Sequence, residues 1–474
     1  MYVTELSIRE FRCIASADID FLHPDSPRAE RLELPNVNLL TGLNGGGKST
    51  VLKAVVAAAL GRNLEERQFK VTGWVRRDGQ ADCRLRVGIV SHLSDGRTGP
   101  EPDDDFGDVR PVRITTRIRR DTEELLGDRS AEATKAFPSD ADTGFLLAAY
   151  GPARQVHEAA GSEGQGHSEF GSPAIAIPGE SSRYQRVASL LDERATLQPL
   201  ESWLPERESS NPARFAEITR LLGCTIPPAT RFLGQREEQA YLFEHDGVAV
   251  PYGALSEGLR SHISWIADLL YHLDAATPPG MPLDEMPGVV LVDEIDQRLH
   301  PRWQLDILSW LSAAFPMLQF IVTSHSPLLA GGLRPANIAV LEADKDADGP
   351  GGSRARSVAD DVFGRSADGV LTSSYFDLAS TRADPFRKHL RELVRMTRSG
   401  DKDAPLQLMR VLGNPQKMRP LGAEEKLAAK QKQKQKQQKK KKDKKPTAKK
   451  KWKRKIAGKR KATKKTRGRR RAGR

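Results

Sequence analysis

A glycine-rich segment between an apolar run and a helical pattern constrains the fold of this chain more than any other feature. The segment reads Gly42-Leu43-Asn44-Gly45-Gly46-Gly47-Lys48-Ser49, with a buried-strand pattern over residues 37–40 and a helical pattern over residues 49–60 that Gly61 would end. Glycines allow successive backbone N–H groups to point into one concavity at the positive end of the following helix. The segment therefore predicts a phosphate-binding loop; the alternative is a glycine-rich turn that carries Lys-Ser by chance.

The polar side chains of this loop match the chemistry of a bound nucleotide. Lys48 is expected to reach the terminal phosphates, and the Ser49 hydroxyl is expected to coordinate Mg²⁺. The residues predicted to bind ATP here are Asn44, Gly45, Gly46, Gly47, Lys48, Ser49 and Thr50.

A second segment supplies carboxylates. Residues 288–292 read Gly-Val-Val-Leu-Val and are followed by Asp293 and Glu294, which is the pattern of a buried parallel strand with two acids at its carboxyl end. That end of a strand is where an open α/β sheet binds its ligands. Asp293 is therefore predicted to hold Mg²⁺, and Glu294 is predicted to act as the base for a water that attacks the γ-phosphate.

Two further segments end in polar residues at places where a ligand can be bound. Leu255-Ser256-Glu257-Gly258-Leu259-Arg260 precedes a helical pattern, so Ser256 and Gly258 are expected at a helix N-terminus that favours anions. Residues 321–327 read Ile-Val-Thr-Ser-His-Ser-Pro, which predicts another buried strand that ends in His325.

Taken in this order, the four segments resemble an ABC-type ATPase of the group that includes SMC, RecF and OLD-family proteins, among them stand-alone bacterial ATP-binding proteins. The resemblance covers roughly residues 1–345, with a diverged middle third. It implies an α/β P-loop NTPase fold of the ABC-ATPase head type, with a mixed central sheet, an antiparallel β subdomain and a helical insertion. A disordered basic C-terminal tail would follow this head.

The resemblance also implies roles for individual residues. Ser256 and Gly258 would contact the γ-phosphate of a nucleotide held by a second subunit, which implies an ATP-dependent homodimer. Asp296 would be the D-loop acid at the dimer seam, and His325 would be the catalytic switch residue that senses the γ-phosphate. Arg12 resembles the arginine that touches nucleotide in SMC-like heads. An ordinary strand-end histidine and a surface arginine are the alternatives for the last two residues.

The glutamine that helps to coordinate Mg²⁺ in this class is harder to place. Gln155 is the best candidate because it follows the apolar run of residues 145–149, and an ordinary loop glutamine is the alternative.

The spacing of the cysteines and the hydropathy of the chain indicate the compartment in which the protein works. Cys13, Cys83 and Cys224 are isolated and lack metal-ligand spacing, so we expect a reducing cytoplasm and no structural zinc. We find no charged-apolar-small leader pattern and no apolar run of the roughly 18 residues that a membrane span needs.

The net charge of +13 is the sum of two oppositely charged parts of the chain. Residues 426–474 contain 27 Lys and Arg residues and one acid, Asp443, so this tail carries +26 and the remaining chain carries −13. Such a tail cannot bury enough apolar surface to fold, and it is predicted to be disordered and to bind nucleic acid or another polyanion. A solubilising tail without a partner is the alternative.

The predicted organisation has five parts. Residues 121–250 lack sustained heptads, so the middle region is predicted to be compact rather than a long coiled coil. The parts are an N-terminal ATPase lobe with the phosphate loop and antiparallel strands (1–120), a diverged, largely helical insertion (121–250), a C-terminal ATPase lobe (251–345), a helical extension (346–422) and the basic tail (423–474).

Three functions agree with these features. The first is an ATPase whose nucleotide-driven dimerisation is coupled to a DNA transaction in repair or anti-phage defence. The second is an ATP-gated module that regulates a separate effector protein and hydrolyses ATP slowly. The third and least favoured is an OLD-type nuclease, because residues 341–346 resemble a Toprim acid cluster only faintly and about 80 residues follow before the tail.

Overall fold

The computed structural model of the chain describes residues 1–67, 69–77, 81–90, 111–136, 146–156, 183–238, 240–343, 353–376, 378–401 and 403–413. The chain divides into two compact units, Met1–Thr381 and Arg382–Arg474. The predictions for the tail at residues 426–474 concern a part of the chain outside these described residues.

The described part of the first unit contains sixteen strands. In chain order they are β1 (Tyr2–Phe11), β2 (Ile14–Asp20), β3 (Val37–Gly42), β4 (Cys83–Val90), β5 (Val112–Ile118), β6 (Leu125–Leu126), β7 (Leu147–Tyr150), β8 (Gln155–Val156), β9 (Thr196–Leu197), β10 (Thr230–Glu237), β11 (Ala240–His245), β12 (Val248–Pro251), β13 (Gly288–Val292), β14 (Leu318–Thr323), β15 (Ile338–Ala343) and β16 (Ser353–Ser357).

Helices surround the strands of the first unit and form the described part of the second. They are α1 (Lys48–Ala59), α2 (Gly61–Glu66), α3 (Ala131–Ala136), α4 (Gln185–Leu191), α5 (Leu200–Ser210), α6 (Pro212–Thr225), α7 (Glu257–Ala276), α8 (Pro301–Ala314), α9 (Pro327–Ala330), α10 (Ala367–Leu371), α11 (Asp384–Arg398) and α12 (Ala404–Gly413). The last two pack against each other in the second unit.

One large mixed sheet organises the first unit. Its eleven strands are ordered β6-β5-β4-β1-β2-β16-β15-β3-β14-β13-β7. From β15 to β7 the strands run parallel, whereas β2, β1, β4, β5 and β6 pair with one another antiparallel. The predicted mixed sheet with an antiparallel part is therefore confirmed.

The parallel strands are buried on both faces. Val290 and Val292 of β13 belong to one apolar cluster, and the alternating Val289 and Leu291 belong to a second cluster. Because successive side chains of a strand point to opposite faces, the sheet separates two cores, with α5 to α8 on one side and α1 on the other. Burial on both faces explains why β3, β13 and β14 are nearly continuous apolar runs.

Three local differences from the sequence-based predictions have physical reasons. Helix α1 ends at Ala59, and Gly61 begins α2 instead of acting as a C-terminal stop. A Cβ on Gly61 would lie 2.2 Å from the Thr116 hydroxyl oxygen, so close packing explains this glycine. The sequence of residues 187–204 has a helical pattern, but the extended residues of β9 separate α4 from α5 within it. Strands β10, β11 and β12, within the region predicted to be largely helical, form an antiparallel sheet whose Phe232, Tyr241 and Phe243 are buried.

Among the described residues, no helix combines the length and the apolar character that a membrane crossing requires.

Candidate active site

The parallel strands place the polar segments at one edge of the sheet. Val292 of β13 is in register with Val322 of β14 and Tyr150 of β7, and Thr323 is in register with Leu40 of β3. The carboxyl ends of these four strands therefore lie side by side, which is where an open α/β sheet forms its ligand site.

The phosphate loop fits between β3 and α1 only with glycine at two critical positions. A Cβ on Gly42, whose φ is 138°, would lie 2.1 Å from the Leu341 carbonyl oxygen of the adjacent β15. Gly47, the N-cap of α1, has a φ of 96°, which is the left-handed region that side chains with a Cβ avoid. Close backbone packing on one side and a tight entry into the helix on the other thus fix the loop.

Lys48 extends back along the loop that precedes it. Its Nζ donates to the carbonyl oxygens of Gly42 at 3.1 Å and Leu43 at 3.0 Å. Burial lowers the pKa of Lys48, and the charges of Asp293, Glu294 and Asp296 oppose this shift. The lysine and the three acids predicted from separate segments are therefore close enough to interact.

A threonine that was not predicted as a site residue holds the two acids of the carboxylate segment. The Thr323 hydroxyl donates to Asp293 Oδ1 at 2.6 Å and accepts from the Glu294 backbone N–H at 2.7 Å. Thr323 is fully buried, and Asp293 is nearly so. Glu294 has a φ of 48°, so the chain turns sharply after β13 and directs the two carboxylates differently.

Arg154 is a second site residue that the sequence analysis missed. Its Nη2 donates to the carbonyl oxygens of Asp293 at 2.5 Å and Glu294 at 2.9 Å, and its side chain is buried beneath this turn. The neighbouring Gln155 begins the short strand β8 and is exposed. The assignment of Gln155 to Mg²⁺ remains a prediction.

His325 follows β14 at the same edge. Burial lowers the pKa of His325, the charge of Lys48 lowers it further, and Asp296, Glu294 and Asp293 raise it. Lys48, the three acids and His325 thus form one electrostatically connected group.

Gln304 of α8 joins the segment of Asp296 to the segment of His325. Its Nε2 donates to the carbonyl oxygens of Asp296 at 3.4 Å and Leu299 at 3.0 Å, while its Oε1 accepts from the Ser326 hydroxyl at 2.7 Å. The Oδ1 atom of Asp296 itself is buried without a hydrogen-bond partner in the described structure.

The segment that contains Ser256 and Gly258 has different neighbours. Ser256 is the exposed N-cap of α7, and a Cβ on Gly258 would lie 2.4 Å from the Arg298 carbonyl oxygen. The Arg298 guanidinium pairs with Glu257 at 2.9 Å. Across the described residues, no hydrogen bond or ion pair connects Ser256 or Gly258 to the phosphate loop of the same chain.

Arg12 lies on the turn between β1 and β2, close to α1. It has a φ of 53° and its N–H donates to the Trp74 carbonyl at 2.7 Å. The charge of Arg12 lowers the pKa of Lys53 on α1, in addition to the larger effect of burial. Next to it, the Cys13 Sγ is 3.7 Å from the Thr50 hydroxyl. This turn therefore reaches the start of α1, where the phosphate loop ends.

These residues fit a nucleotide with its Mg²⁺. The N-terminus of α1 has no side-chain cap and no acid in its first turn, which leaves its N–H groups for an anion. No group of three His, Cys, Asp or Glu side chains that could hold a metal occurs in the described part of the chain. A single carboxylate and a hydroxyl suffice for Mg²⁺ at a phosphate, because the phosphate oxygens and water complete the shell. Ser49 and Asp293 provide such a pair.

Comparison with known proteins identifies the family. The model of a family described as "AAA domain, putative AbiEii toxin, Type IV TA system" matches residues 37–331, which is more than half of the chain. The match begins at β3 and includes the phosphate loop, the Ser256 segment, the two acids after β13 and His325, but not the turn of Arg12. The predicted resemblance to ATP-binding AAA and ABC-type ATPases is confirmed by this match.

Two curated relatives share shorter stretches. The chain is 41% identical to Septu protein PtuA of Bacillus mycoides (strain KBAB4) over 97 residues, which are 20% of this chain and 13% of PtuA. It is 30% identical to the Retron Ec83 probable ATPase of Escherichia coli over 181 residues, which are 38% of this chain and 33% of that protein. The matches therefore span one third or less of these two relatives.

Among solved structures, the chain resembles an SMC head bound to the C-winged helix domain of ScpA. The TM-score is 0.44 at 14% sequence identity, and the alignment covers 76% of this chain and 98% of the SMC head.

Proposed function

Because the chain belongs to this family of AAA domains, we propose that it binds ATP with Mg²⁺ and hydrolyses the γ-phosphate bond. One observation carries this proposal: Lys48, Asp293, Glu294 and His325 meet at the carboxyl edge of four parallel strands. They arise from three segments that are distant in the sequence, and phosphoryl transfer depends on just such positioning of charges.

Each residue then has a defined task. Lys48 and the N–H groups at the start of α1 bind the phosphates, while Ser49 and Asp293 hold the metal. Mg²⁺, when bound, neutralises charge on the phosphate oxygens. Glu294 orients the attacking water and accepts its proton, and His325 donates a hydrogen bond toward the γ-phosphate. Burial lowers the pKa of His325, which favours the neutral ring, in which one nitrogen donates while the other accepts.

Two substitutions test this assignment. Lys48→Ala should lose nucleotide binding in equilibrium titrations, because the phosphates lose their only lysine from the loop. Glu294→Gln should bind ATP with wild-type affinity and hydrolyse it at least roughly 100-fold more slowly. Unchanged ATP affinity in the first variant, or unchanged turnover in the second, contradicts the proposed site.

A second copy of the chain completes the site in our proposal. Ser256 is exposed at the N-terminus of α7, where its hydroxyl accepts from the Leu259 N–H of the same helix. The adjacent Glu257 pairs with Arg298, and no bond joins Ser256 to the phosphate loop in the described part of the chain. Glu294→Gln should therefore become a dimer by light scattering when MgATP is added. A strictly monomeric protein under these conditions argues against the role of Ser256 in trans.

We propose nucleic acid as the macromolecule on which this ATPase acts, in anti-phage defence or repair. The names of the two curated relatives and the family description favour the defence setting. The basic tail supplies one polyanion site by sequence, with 27 cationic residues in positions 426–474.

The solvent face of the antiparallel sheet offers a second polyanion site. Arg9, Arg84 and Arg117 are directly opposite one another on β1, β4 and β5. Arg9 pairs with Asp18 at 2.8 Å, whereas the side chains of Arg84 and Arg117 form no hydrogen bond or ion pair in the described structure. Like charges directly opposite on neighbouring strands are destabilising, so an anionic ligand accounts best for this arrangement.

The salt dependence of DNA affinity can separate the contribution of the basic tail from that of the arginines on the antiparallel sheet. Replacement of Arg84 and Arg117 by Gln in the full chain should reduce the slope of log affinity against log salt by about 2, since each phosphate contact contributes about 0.9. Gln replacement of Arg62 and Arg119, whose charges already pair with Glu66 and Glu124, is the matched control. A slope unchanged by the first pair of substitutions restricts DNA binding to other parts of the chain.

An ATP-gated module for a separate effector protein is the second candidate. It is favoured by α12 in the second unit, where Leu406, Met409 and Leu412 are more than half exposed at helical spacing. DNA that leaves the ATPase rate of the full chain unchanged would favour this candidate over the first.

A further inference from the structure

Arg154 is a buried cation whose partners are backbone carbonyls. Only 5% of the residue is exposed, and its guanidinium donates to the carbonyls of Asp293, Glu294 and Gly151 at 2.5, 2.9 and 3.3 Å. No carboxylate forms an ion pair with it in the described structure. Burial lowers the pKa of Arg154 to about 10, so the side chain is still charged near neutral pH. A buried charge is costly to retain, which indicates a specific role for these contacts.

The carbonyls that Arg154 holds belong to a strained turn. Glu294 has a φ of 48°, a conformation that persists in a residue with a Cβ only where its surroundings enforce it. The Glu294 N–H donates to the Thr323 hydroxyl. The Glu294 carbonyl oxygen accepts from Arg154 and, at 3.0 Å, from the Gln297 N–H. The peptide units on both sides of the Glu294 side chain are thus held, and the direction of the carboxylate follows from them.

The opposite side of Arg154 faces helix α7. Its guanidinium carbon lies 5.9 Å from the ring centre of the fully buried Trp265, within reach of a cation–π interaction. Trp265 also packs on Tyr150 at 5.5 Å and donates to His262 on the same helix at 3.2 Å. The exposed Ser256 lies at the N-terminus of this helix, roughly two and a half turns before Trp265. Arg154 therefore contacts both the turn of Glu294 and the helix that begins at Ser256.

We propose that Arg154 is a positioning residue that sets the direction of the Glu294 carboxylate and couples it mechanically to helix α7. Displacement of α7 by a ligand or a second subunit at Ser256 then moves Trp265 and Arg154, and the catalytic carboxylate responds. This inference rests on the proposed ATPase activity, and it adds the element through which the two halves of the site communicate.

The kinetic test uses the full chain with Arg154→Lys and Arg154→Gln. A lysine retains the charge, but its single nitrogen cannot replace both Nη2, which donates to Asp293 and Glu294, and Nε, which donates to Gly151. A misplacement of about 1 Å can cost roughly 100-fold in rate. We expect kcat to fall by about that factor while KM and the affinity for ATP change less than about threefold. Arg194→Gln, which removes an exposed arginine outside the site, is the matched control and should retain wild-type kcat.

Amide hydrogen exchange tests the role of Arg154 independently of ATP hydrolysis. Amide hydrogen exchange should accelerate in Arg154→Gln at Ile295, Gln297 and Leu299, and at the first turn of α7, with wild-type exchange in β13 and β14. Arg194→Gln should show none of these changes. Should the wild-type chain fail to hydrolyse ATP, the proposed function fails, and the exchange pattern still tests Arg154.

Two results overturn the role of Arg154. One is wild-type exchange in the turn after β13 in Arg154→Gln. The other is uniform acceleration in every element together with parallel losses of kcat and ATP affinity, which would identify Arg154 as a residue that only stabilises the fold.

Discussion

Substitution of Thr323 by valine separates the placement of the catalytic acids from the packing of the sheet. Valine has nearly the volume of threonine, so β14 should keep its place between β3 and β13. The hydroxyl, however, forms hydrogen bonds at 2.6 Å to Asp293 Oδ1 and at 2.7 Å to the Glu294 N–H. Both partners lose their bond when the hydroxyl is removed.

The expected cost follows from the burial of these partners. Thr323 is fully buried and Asp293 is 3% exposed, so water cannot readily replace the lost hydrogen bonds. An unsatisfied buried group costs about 1–3 kcal/mol, with the higher values for charged groups. We therefore expect the free energy of unfolding to fall by about 2–4 kcal/mol, and kcat to fall by roughly 10- to 100-fold, because the Glu294 turn loses one of its two anchors.

Urea denaturation and steady-state ATPase rates measure the two effects. Thr323→Ser is the matched control: it keeps the hydroxyl and loses one methyl group, so its kcat should stay within about threefold of wild type. A Thr323→Val variant with wild-type stability and kcat refutes the conclusion that this hydroxyl holds the acids. Equal losses in the serine and valine variants would attribute the effect to the missing methyl contacts instead.

Three further predictions concern the fold around the site. Gly42→Ala should fail to accumulate as folded protein in expression and circular dichroism, because the new Cβ would lie 2.1 Å from the Leu341 carbonyl oxygen, a backbone atom that cannot move aside. Tyr150→Phe should lower the free energy of unfolding in urea by about 1–3 kcal/mol, since the Tyr150 hydroxyl donates to the buried Asp268 at 2.9 Å; wild-type stability would mean that this bond contributes nothing net. Burial lowers the pKa of His262 to about 4, so the unfolded chain takes up a proton below about pH 6.5 and the native chain does not. The free energy of unfolding should therefore fall by about 3 kcal/mol from pH 6.5 to pH 4 and stay constant below pH 4. Urea midpoints across this range should show that contribution in the wild type and not in His262→Gln, and equal slopes in both would exclude it.

The part of the site that could be predicted consists of residues in short contiguous patterns. Lys48 is adjacent to its glycines, and Asp293 and Glu294 directly follow five apolar residues, so one segment reveals both the strand and the polar end. Parallel register then brings these ends to one edge of the sheet. In these segments the local sequence therefore determines both the strand and the position of its polar end.

Thr323 and Arg154 were missed because their partners are remote in the sequence. Thr323 bonds to a residue 30 positions away, and Arg154 bonds to one 139 positions away. Thr323 could have been found from its place at the end of a predicted strand beside the acids. Arg154 gave no such signal, because it looked like one more polar loop residue, and burial under a turn cannot be inferred from periodicity.

The position of β3 within the sheet also has a consequence for synthesis on the ribosome. Both neighbours of β3, the strands β14 and β15, come late in the chain; Asn36, just before β3, bonds to the Phe315 carbonyl 279 residues later. At about 5–20 residues per second, the emerging strand waits roughly 15–60 s for its partners. Through this interval its apolar residues and both of its edges are unpaired, which favours aggregation and chaperone binding. Interrupted translation products that end before residue 318 therefore contain the whole phosphate loop and are expected to be degraded rather than to compete for ATP.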